Sequence, residues 1–404
     1  MKLIQPFAGW RPRPGLAARV AAPPYDVISS SEARQLAMGN PDSFLHVSKA
    51  EINLDPALPA DDPLVYRAAA ERFARMRHEG VLRQDPAPCL YIYRLTMGQR
   101  EQTGVVAAAS VEAYRNNRIR KHELTRPDKE HDRTRLAEAL SAHSGPVFLI
   151  YRQTDAVDAL VRQIQQASPA DESFQADDGI EHALWVVRDR QQIEQLVALF
   201  EQQPHLYIAD GHHRSAAAAR VHANRPTADR FLSVLFPDSQ LKILDYNRVV
   251  KDLHGLTPPA FLRAVEERFQ VTPAPAAVRP DRPRCFGLYL DRQWYRLTLD
   301  PRHVDGSDAV TRLDVSLLER HLLQPVLGIH DMRRDQRIDF VGGIRGTAAL
   351  ESLVDNGKMA AAFSLFPTQL AELLAVADAD QIMPPKSTWF EPKLRDGLVV
   401  QTFA

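Results

Sequence analysis

LYIADGHHRSAAAAR, residues 206–220, passes from a run of β-favouring residues into a run of strong helix formers across a single Asp210-Gly211 corner. A strand that turns sharply at glycine and opens at once into a helix presents unpaired backbone N–H groups and the positive end of the helix dipole to whatever lies outside it. Phosphate suits such a spot. Gly211 allows close backbone approach, Arg214 in the first turn is able to clamp phosphate oxygens in bidentate fashion, and Asp210 is the candidate to hold Mg²⁺ or a ribose hydroxyl. The plainer alternative makes Asp210 a helix cap and Arg214 a solvated first-turn charge. The adjacent His212 and His213 are hard to explain as capping alone, and the pattern favours function.

The sequence around this corner sets the fold class. From Pro146 onward short apolar runs (VFLIY, ALWVV, LYIA) alternate with helical ones (AVDALVRQIQQA, QQIEQLVALFEQQ), which argues for an α/β layer. Upstream, Asp62–Glu79 reads as a helix, the two β-rich runs around Met97-Gly98-Gln99 as a hairpin or meander, and Pro127–His143 as a polar helix. Downstream, TPPAFLRAVEERF, VSLLERHLLQPVLG and GTAALESLVDNG read as helices and FGLYLDRQWYRLTLD as a hairpin. VTPAPAAVRPDRPR, residues 271–284, carries four prolines and reads as a surface connection or domain boundary. The expected architecture is mixed α/β: residues 1–104 as an N-terminal segment, 105–250 as the core and 251–404 as a C-terminal segment completing the site.

With 404 residues the chain is too long for one ordinary core. A hydrophobic fraction of 45% with 25% charged residues describes a globular protein and excludes disordered or fibrous classes. Lys plus Arg number 50 against 51 Asp plus Glu, so no bulk positive field points to nucleic acid or anionic lipid, and any anion site is built locally. Cys89 and Cys285 make neither a disulfide framework nor a four-thiolate zinc site. No apolar stretch reaches secretory or membrane-spanning length, and a cytoplasmic location is expected. There is no G-x-x-x-x-G-K-[ST], no G-x-G-x-x-G after a strand and no G-x-S-x-G, which disfavours Walker-type ATPases, dinucleotide dehydrogenases and serine hydrolases.

Two further stretches hold chemistry-bearing residues. IRKHELTRPDKEHDR, residues 119–133, gathers His122, Glu123, Lys129, Glu130, His131, Asp132 and Arg133. It lacks the second histidine that a zinc protease needs one turn after the first. Such a charge run is usually a solvated helix face, but Glu123 falls at the end of an expected strand, where a general base is well aimed. MPPKSTWFEPK, residues 383–393, offers Lys386, Thr388 and Lys393 beside Trp389 and Phe390 in what reads as an ordered loop. Tyr25 and Asp26 of APPYDV and His46 of SFLHV are weaker candidates, His46 being better explained as a structural histidine.

APPYDV, NPDSFLHV, KHELTRPDKEHDR, YIADGHHR and MPPKSTWFEPK, in that order, resemble the bacterial and archaeal family known as the domain of unknown function 1015. More distantly, I-x-x-H-E followed by D-G-H-H-R opening an Ala-rich helix resembles the ParB/sulfiredoxin superfamily over about residues 105–225, and most of all its free-serine kinase branch. That resemblance implies a nucleotide-binding core, ATP or ADP as phosphoryl donor, Mg²⁺, and a place in serine metabolism. It implies Glu123 as the base and Asp210, Gly211, His212, His213 and Arg214 as the phosphate turn. The departure is the long insertion between Glu123 and Asp210.

The expected activity is therefore phosphoryl transfer from a nucleotide to the hydroxyl of a small metabolite, free L-serine above others. His212 or His213 stabilises the transferring group, and His122, Arg133, Lys386, Thr388 and Lys393 recognise the acceptor. Two rival readings remain open: a ParB-like nucleotide-binding regulator without transfer, and a phosphohydrolase acting on a phosphorylated amino acid. No nucleic-acid or membrane partner is expected, and a homodimer is permitted.

Overall fold

The computed structural model describes residues 2–304 and 308–403. The chain forms two compact units, the first from Met1–Lys121, Thr125–Leu241 and Pro392–Ala404, the second from His122–Leu124 and Lys242–Glu391. The class is mixed α/β, as expected from the alternation.

The first unit is built on a nine-stranded mixed sheet. Its strands are β1 (Ile4–Gln5), β2 (Leu90–Met97), β3 (Arg100–Ser110), β4 (Ile119–Arg120), β5 (Val147–Tyr151), β6 (Glu172–Gln175), β7 (Glu181–Val187), β8 (Leu206–Asp210) and β9 (Arg230–Pro237). They lie in the order β4-β8-β5-β9-β3-β2-β7-β6, with β1 also on β3. β2 and β3 form the expected hairpin around Gly98, whose φ of 62° suits the turn. β3 runs through residues 104 and 105 without a break. Pairs β8–β4 and β9–β5 are parallel, the others antiparallel. All five residues of β5 are buried, which matches an unbroken apolar run rather than an alternating one.

Helices cover this sheet because their apolar residues fall on one stripe. α1 (Pro63–His78) starts at an Asp62 cap that accepts the Leu64 N–H at 2.8 Å. α2 spans Pro127–Leu140, α3 Asp155–Ala167, α4 Arg190–Glu201 and α5 His212–Asn224. α3 buries Val157, Leu160, Val161 and Ile164, and α4 buries Ile193, Leu196, Val197 and Phe200, both at i, i+3, i+4, i+7 spacing. Each such side chain contributes about 1.5–3 kcal/mol on burial. These residues join the sheet core, while Val65, Tyr66, Ala69, Phe73 and Met76 of α1 and Leu136 and Leu140 of α2 make a second core. α2 stops three residues short of the expected His143. Ser141 turns the backbone at φ 48°, and Ala142–His143 pair with Gln401–Thr402. Trp10 and Ala22 bridge to Val400 and Asp396, so the segment after Pro392 is stitched into this unit.

The second unit is a six-stranded antiparallel sheet with helices. β10 is Tyr246–Val250, β11 Phe269–Ala274, β12 Cys285–Leu290, β13 Gln293–Leu299, β14 Ile338–Gly342 and β15 Ala361–Leu365, in the order β11-β13-β12-β15-β10-β14. Its longer helices are α6 (Pro258–Glu266), α7 (Gly346–Asp355) and α8 (Leu370–Asp378). The β12–β13 hairpin is the expected one, with Asp291 and Arg292 both at positive φ (49° and 62°) in its turn. VTPAPAAVRPDRPR corrects the sequence reading. Residues 271–274 belong to β11, and Pro273 is tolerated because β11 is an edge strand. VSLLERHLLQPVLG is no continuous α-helix either: Asp314–Leu318 gives way to a π-helical turn at Glu319–Leu323. Cys89 and Cys285 are free and buried. No helix among the described residues is long and apolar enough to cross a membrane.

Candidate functional site

The corner at the end of β8 is where the first unit concentrates charge. β8 pairs with β5 through Ile208↔Leu149 and Asp210↔Phe148, and the register shifts between these two pairs, so the ladder is irregular just before the corner. Gly211 follows at φ 94°, and a Cβ there would sit 3.3 Å from the Val147 Cα, so both conformation and space require glycine. α5 begins immediately, and no side chain caps its first turn. Its Ala216, Ala217 and Ala218 are buried, which is the packing reason for the alanine run.

Asp210 holds the corner together. Its Oδ1 accepts the Gly211 N–H at 2.8 Å, and its Oδ2 lies 2.9 Å from the Lys393 ammonium. Arg214 Nη2 stands 4.0 Å from Asp210 and 3.8 Å from Asp26, while Nη1 donates to the Pro146 carbonyl. Burial pushes the Asp210 carboxyl up, but Lys393 and Arg214 outweigh it and hold the group well below the usual carboxylate range. Burial disfavours the Arg214 charge, yet Asp26, Asp210 and Asp396 raise its pKa. The guanidinium is therefore a permanent cation with an Nε that has no hydrogen-bond partner among the described residues.

Behind the corner lies a cavity of about 40 Å³ lined by Tyr25, Arg133, His143, Gly145, Arg214 and Asp396. Its size suits water rather than a metabolite. Asp396 is 2% exposed, and burial, reinforced by Asp26, pushes its carboxyl up to about 7 against the pull of Arg214 and Arg133. Burial pushes the His143 imidazole down to about 4. Tyr25 lies under the Arg133 guanidinium at 3.9 Å, and Arg133 donates to Asp132 at 2.7 and 2.9 Å.

The expected residues divide between the two units. Asp210, Gly211, His212, His213, Arg214, Arg133 and Lys393 all belong to the first, and the second holds His122, Glu123, Lys386 and Thr388. The strand before Glu123 ends at Arg120, so this half-buried residue sits in a loop rather than at a strand end. His212 is buried. His213 Nε2 accepts the Arg126 N–H at 3.0 Å, which ties the start of α2 to the corner. Arg133, expected to meet an acceptor carboxylate, is engaged by Asp132 and Tyr25. Lys393 is engaged by Asp210. Lys386 is exposed, 5.7 Å from the Tyr246 ring centroid. Since both oxygens of Asp210 already have N–H or ammonium partners, this donor set does not fit Mg²⁺ as it stands. Asp26 was only a weaker candidate in the sequence, and Asp396 was not singled out at all. The APPYDV motif was the signal for the first, and nothing marked the second.

Residues 4–316 match the family model described as protein of unknown function (DUF1015). The chain belongs to this family. No curated protein matches it. Among solved structures, this DUF1015 member is similar to a free serine kinase in complex with AMP, at 12% identity and a TM-score of 0.37, over 71% of this chain and 86% of that one. It is similar to SbnI with a C-terminal truncation from Staphylococcus aureus at 12% identity and 0.40, over 72% and 85%. A conserved hypothetical protein from Pyrococcus furiosus matches at 12% and 0.36, over 74% and 95%. At such identities and scores no property of those proteins passes to this DUF1015 chain.

Proposed function

We propose that this protein is a small-molecule phosphotransferase that seats the phosphates of ATP or ADP at the Gly211 corner and passes a phosphoryl group to a hydroxyl, with free L-serine the favoured acceptor. The observation that carries the reading is the corner itself. An obligatory glycine leads into an uncapped helix start, with Arg214 and Lys393 gathered around one carboxylate. Phosphoryl transfer asks a protein mainly for positioning and charge neutralisation, and backbone N–H groups with two cations supply both.

In this reading the acceptor oxygen bonds to the terminal phosphorus as the bridging P–O bond breaks, and the hydroxyl proton goes to Glu123. Arg214 and the N–H groups after Gly211 hold the donor phosphates. Lys393 exchanges Asp210 for a phosphate oxygen. His212 or His213 stabilises the transferring group, and His122, Arg133, Lys386 and Thr388 recognise the acceptor.

Incubating the full chain with Mg²⁺, terminally labelled ATP or ADP and a panel of hydroxylated metabolites is the test. Label recovered on a metabolite supports the reading, and label released only as inorganic phosphate makes the protein a hydrolase. Label that stays on the nucleotide leaves the regulator reading and removes this one.

A further inference from the structure

An open groove of about 550 Å³ runs between the segment 37–54 and α1. That volume lies within the range of about 300–1,000 Å³ usual for small-molecule sites. All of its lining residues belong to the first unit, and none of them lines the cavity behind the Gly211 corner. Asn40, Pro41 and His46 reach it from NPDSFLHV, a stretch that the phosphate corner leaves unused. Its apolar lining is continuous with the second core, since Ala37 belongs to that core and Leu54 and Ala68 pack against it.

On the 37–54 side the polar groups are engaged with one another. His46 places Nε2 3.1 Å from the Asn40 carbonyl and Nδ1 2.6 Å from Asn53 Oδ1, and Asn53 Nδ2 donates to the His46 carbonyl at 2.9 Å. The Asn40 side chain donates to the Arg19 carbonyl at 2.8 Å and accepts the Asp42 N–H at 3.2 Å. This wall is held in shape by its own hydrogen bonds, without any occupant.

The α1 side is the opposite. Ala68, Glu71, Arg72 and Arg75 fall at i, i+3, i+4 and i+7, a stripe beside the one through which Val65, Ala69, Phe73 and Met76 enter the core. Among the described residues the side chains of Glu71, Arg72 and Arg75 make neither an ion pair nor a hydrogen bond, and Arg72 Nε is buried without a partner. Glu71 and Arg75 have the i, i+4 spacing at which Arg190 and Glu194 meet at 2.8 Å, yet they stay apart. Burial and then the neighbouring Arg75 lower the Arg72 pKa, against the pull of Glu79 and Asp42. Asp42 is itself held by Arg19 at 2.9 Å. Two cations and one carboxylate therefore converge on a single groove with no counter-charge in contact with any of them.

Glu71 repels a bare anion held by the two arginines, and the arginines repel a bare cation held by Glu71, so the three together select a ligand that carries both signs. Neighbouring positions on a helix face stand about 5–6 Å apart at Cβ, so the opposite charges of such a ligand are only a few bonds apart. We propose that this groove binds a free α-amino acid, its carboxylate on Arg72 and Arg75, its ammonium on Glu71 and its side chain against Ala37, Leu54 and Ala68. The site stands independently of the Gly211 corner and of the reaction placed there.

The test is thermal unfolding of the full chain in each of the twenty L-amino acids and in acetate at matched ionic strength, followed by calorimetric titration with the amino acid that raises the midpoint most. Wild type is compared with Arg72→Met, Arg75→Met and Glu71→Gln. The expected result is saturable binding at one site, weakened about tenfold or more by Arg72→Met, where a half-buried charged hydrogen bond is lost. Arg75→Met and Glu71→Gln, at exposed positions, are each expected to weaken it about threefold or more. Glu71→Gln is expected to bind acetate no more weakly than wild type does, a reversal that a merely structural Glu71 would not produce. If Arg72→Met does not fold, the two exposed variants carry the test. No midpoint shift in any amino acid, equal affinity in wild type and the folded variants, or acetate bound as tightly as the amino acid overturns the proposal.

Discussion

Lys393 Nζ lies 2.9 Å from Asp210 Oδ2, an ion pair between residues 183 apart in sequence that fastens the end of β8 to the segment after Pro392. The two side chains are only 16% and 26% exposed, so removing one partner strands the other in a poorly hydrated place. Asp210→Asn and Lys393→Met are each expected to cost about 2–3 kcal/mol at neutral pH, and the double variant less than their sum, with coupling of about 1–2 kcal/mol in a urea-unfolding cycle. The pH dependence has a fixed sign. Because the folded carboxyl lies below its unfolded value, its contribution is present above about pH 4 and fades as pH falls toward the folded value. Wild type and Asp210→Asn are expected to converge in acid. Additive costs with no convergence show that the pair is not a thermodynamic unit.

Gly211 makes a separate case, since it combines positive φ with close packing. Gly179 has a similar φ of 78° but nothing within 4 Å of an added Cβ. Gly179→Ala is expected to cost about 1 kcal/mol, the left-handed penalty alone. Gly211→Ala adds the 3.3 Å approach to Val147 and is expected to cost roughly twice that or more. Equal shifts of the urea midpoint for the two variants count against a tight corner.

Asp396 is expected to make the protein less stable as pH rises. Its carboxyl titrates near 7 in the folded chain, chiefly because of burial, against about 3.9 in an unfolded one. Between those values the folded state keeps a proton that the unfolded state has released, so stability falls with rising pH and levels off above about pH 7. Asp396→Asn removes that slope. The variant's stability relative to wild type is expected to rise by up to about 4 kcal/mol from pH 4 to pH 8, read from urea midpoints across the range. Parallel curves for the two proteins are the contrary result.

Local signals carried much of the fold. The α3 and α4 stripes, the hairpin around Gly98 and the corner at Gly211 each follow from a few neighbouring residues, through period, turn chemistry or conformational freedom. What was not legible depends on long-range pairing. The polar stretch 127–143 gave no sign that Ser141 would turn and send Ala142–His143 to pair with Gln401–Thr402. Nor did the proline-rich 271–284 show that its first residues would find an edge position beside β13. The same limit applies at the candidate site. Arg214 and Asp210 were readable from the corner, whereas Asp396 and the partnership of Lys393 with Asp210 exist only because the segment after Pro392 returns to the first unit.

The phosphotransferase reading separates binding from chemistry in two variants. Arg214 is placed on the donor phosphates, where loss of a charge-assisted fork is worth about 2–4 kcal/mol, so Arg214→Ala is expected to weaken nucleotide affinity by about 30-fold or more. Glu123 is placed on the acceptor proton, a role worth about 10²–10⁴ in rate. Glu123→Gln keeps size and hydrogen-bonding reach but cannot take a proton at neutral pH. It is expected to lower kcat by that factor and to leave nucleotide affinity, measured by calorimetry, within about threefold of wild type. The split is diagnostic because a merely structural Glu123 would move both quantities together, or neither. Turnover that survives in Glu123→Gln removes that residue from the mechanism, and undiminished nucleotide affinity in Arg214→Ala moves the phosphates away from the Gly211 corner.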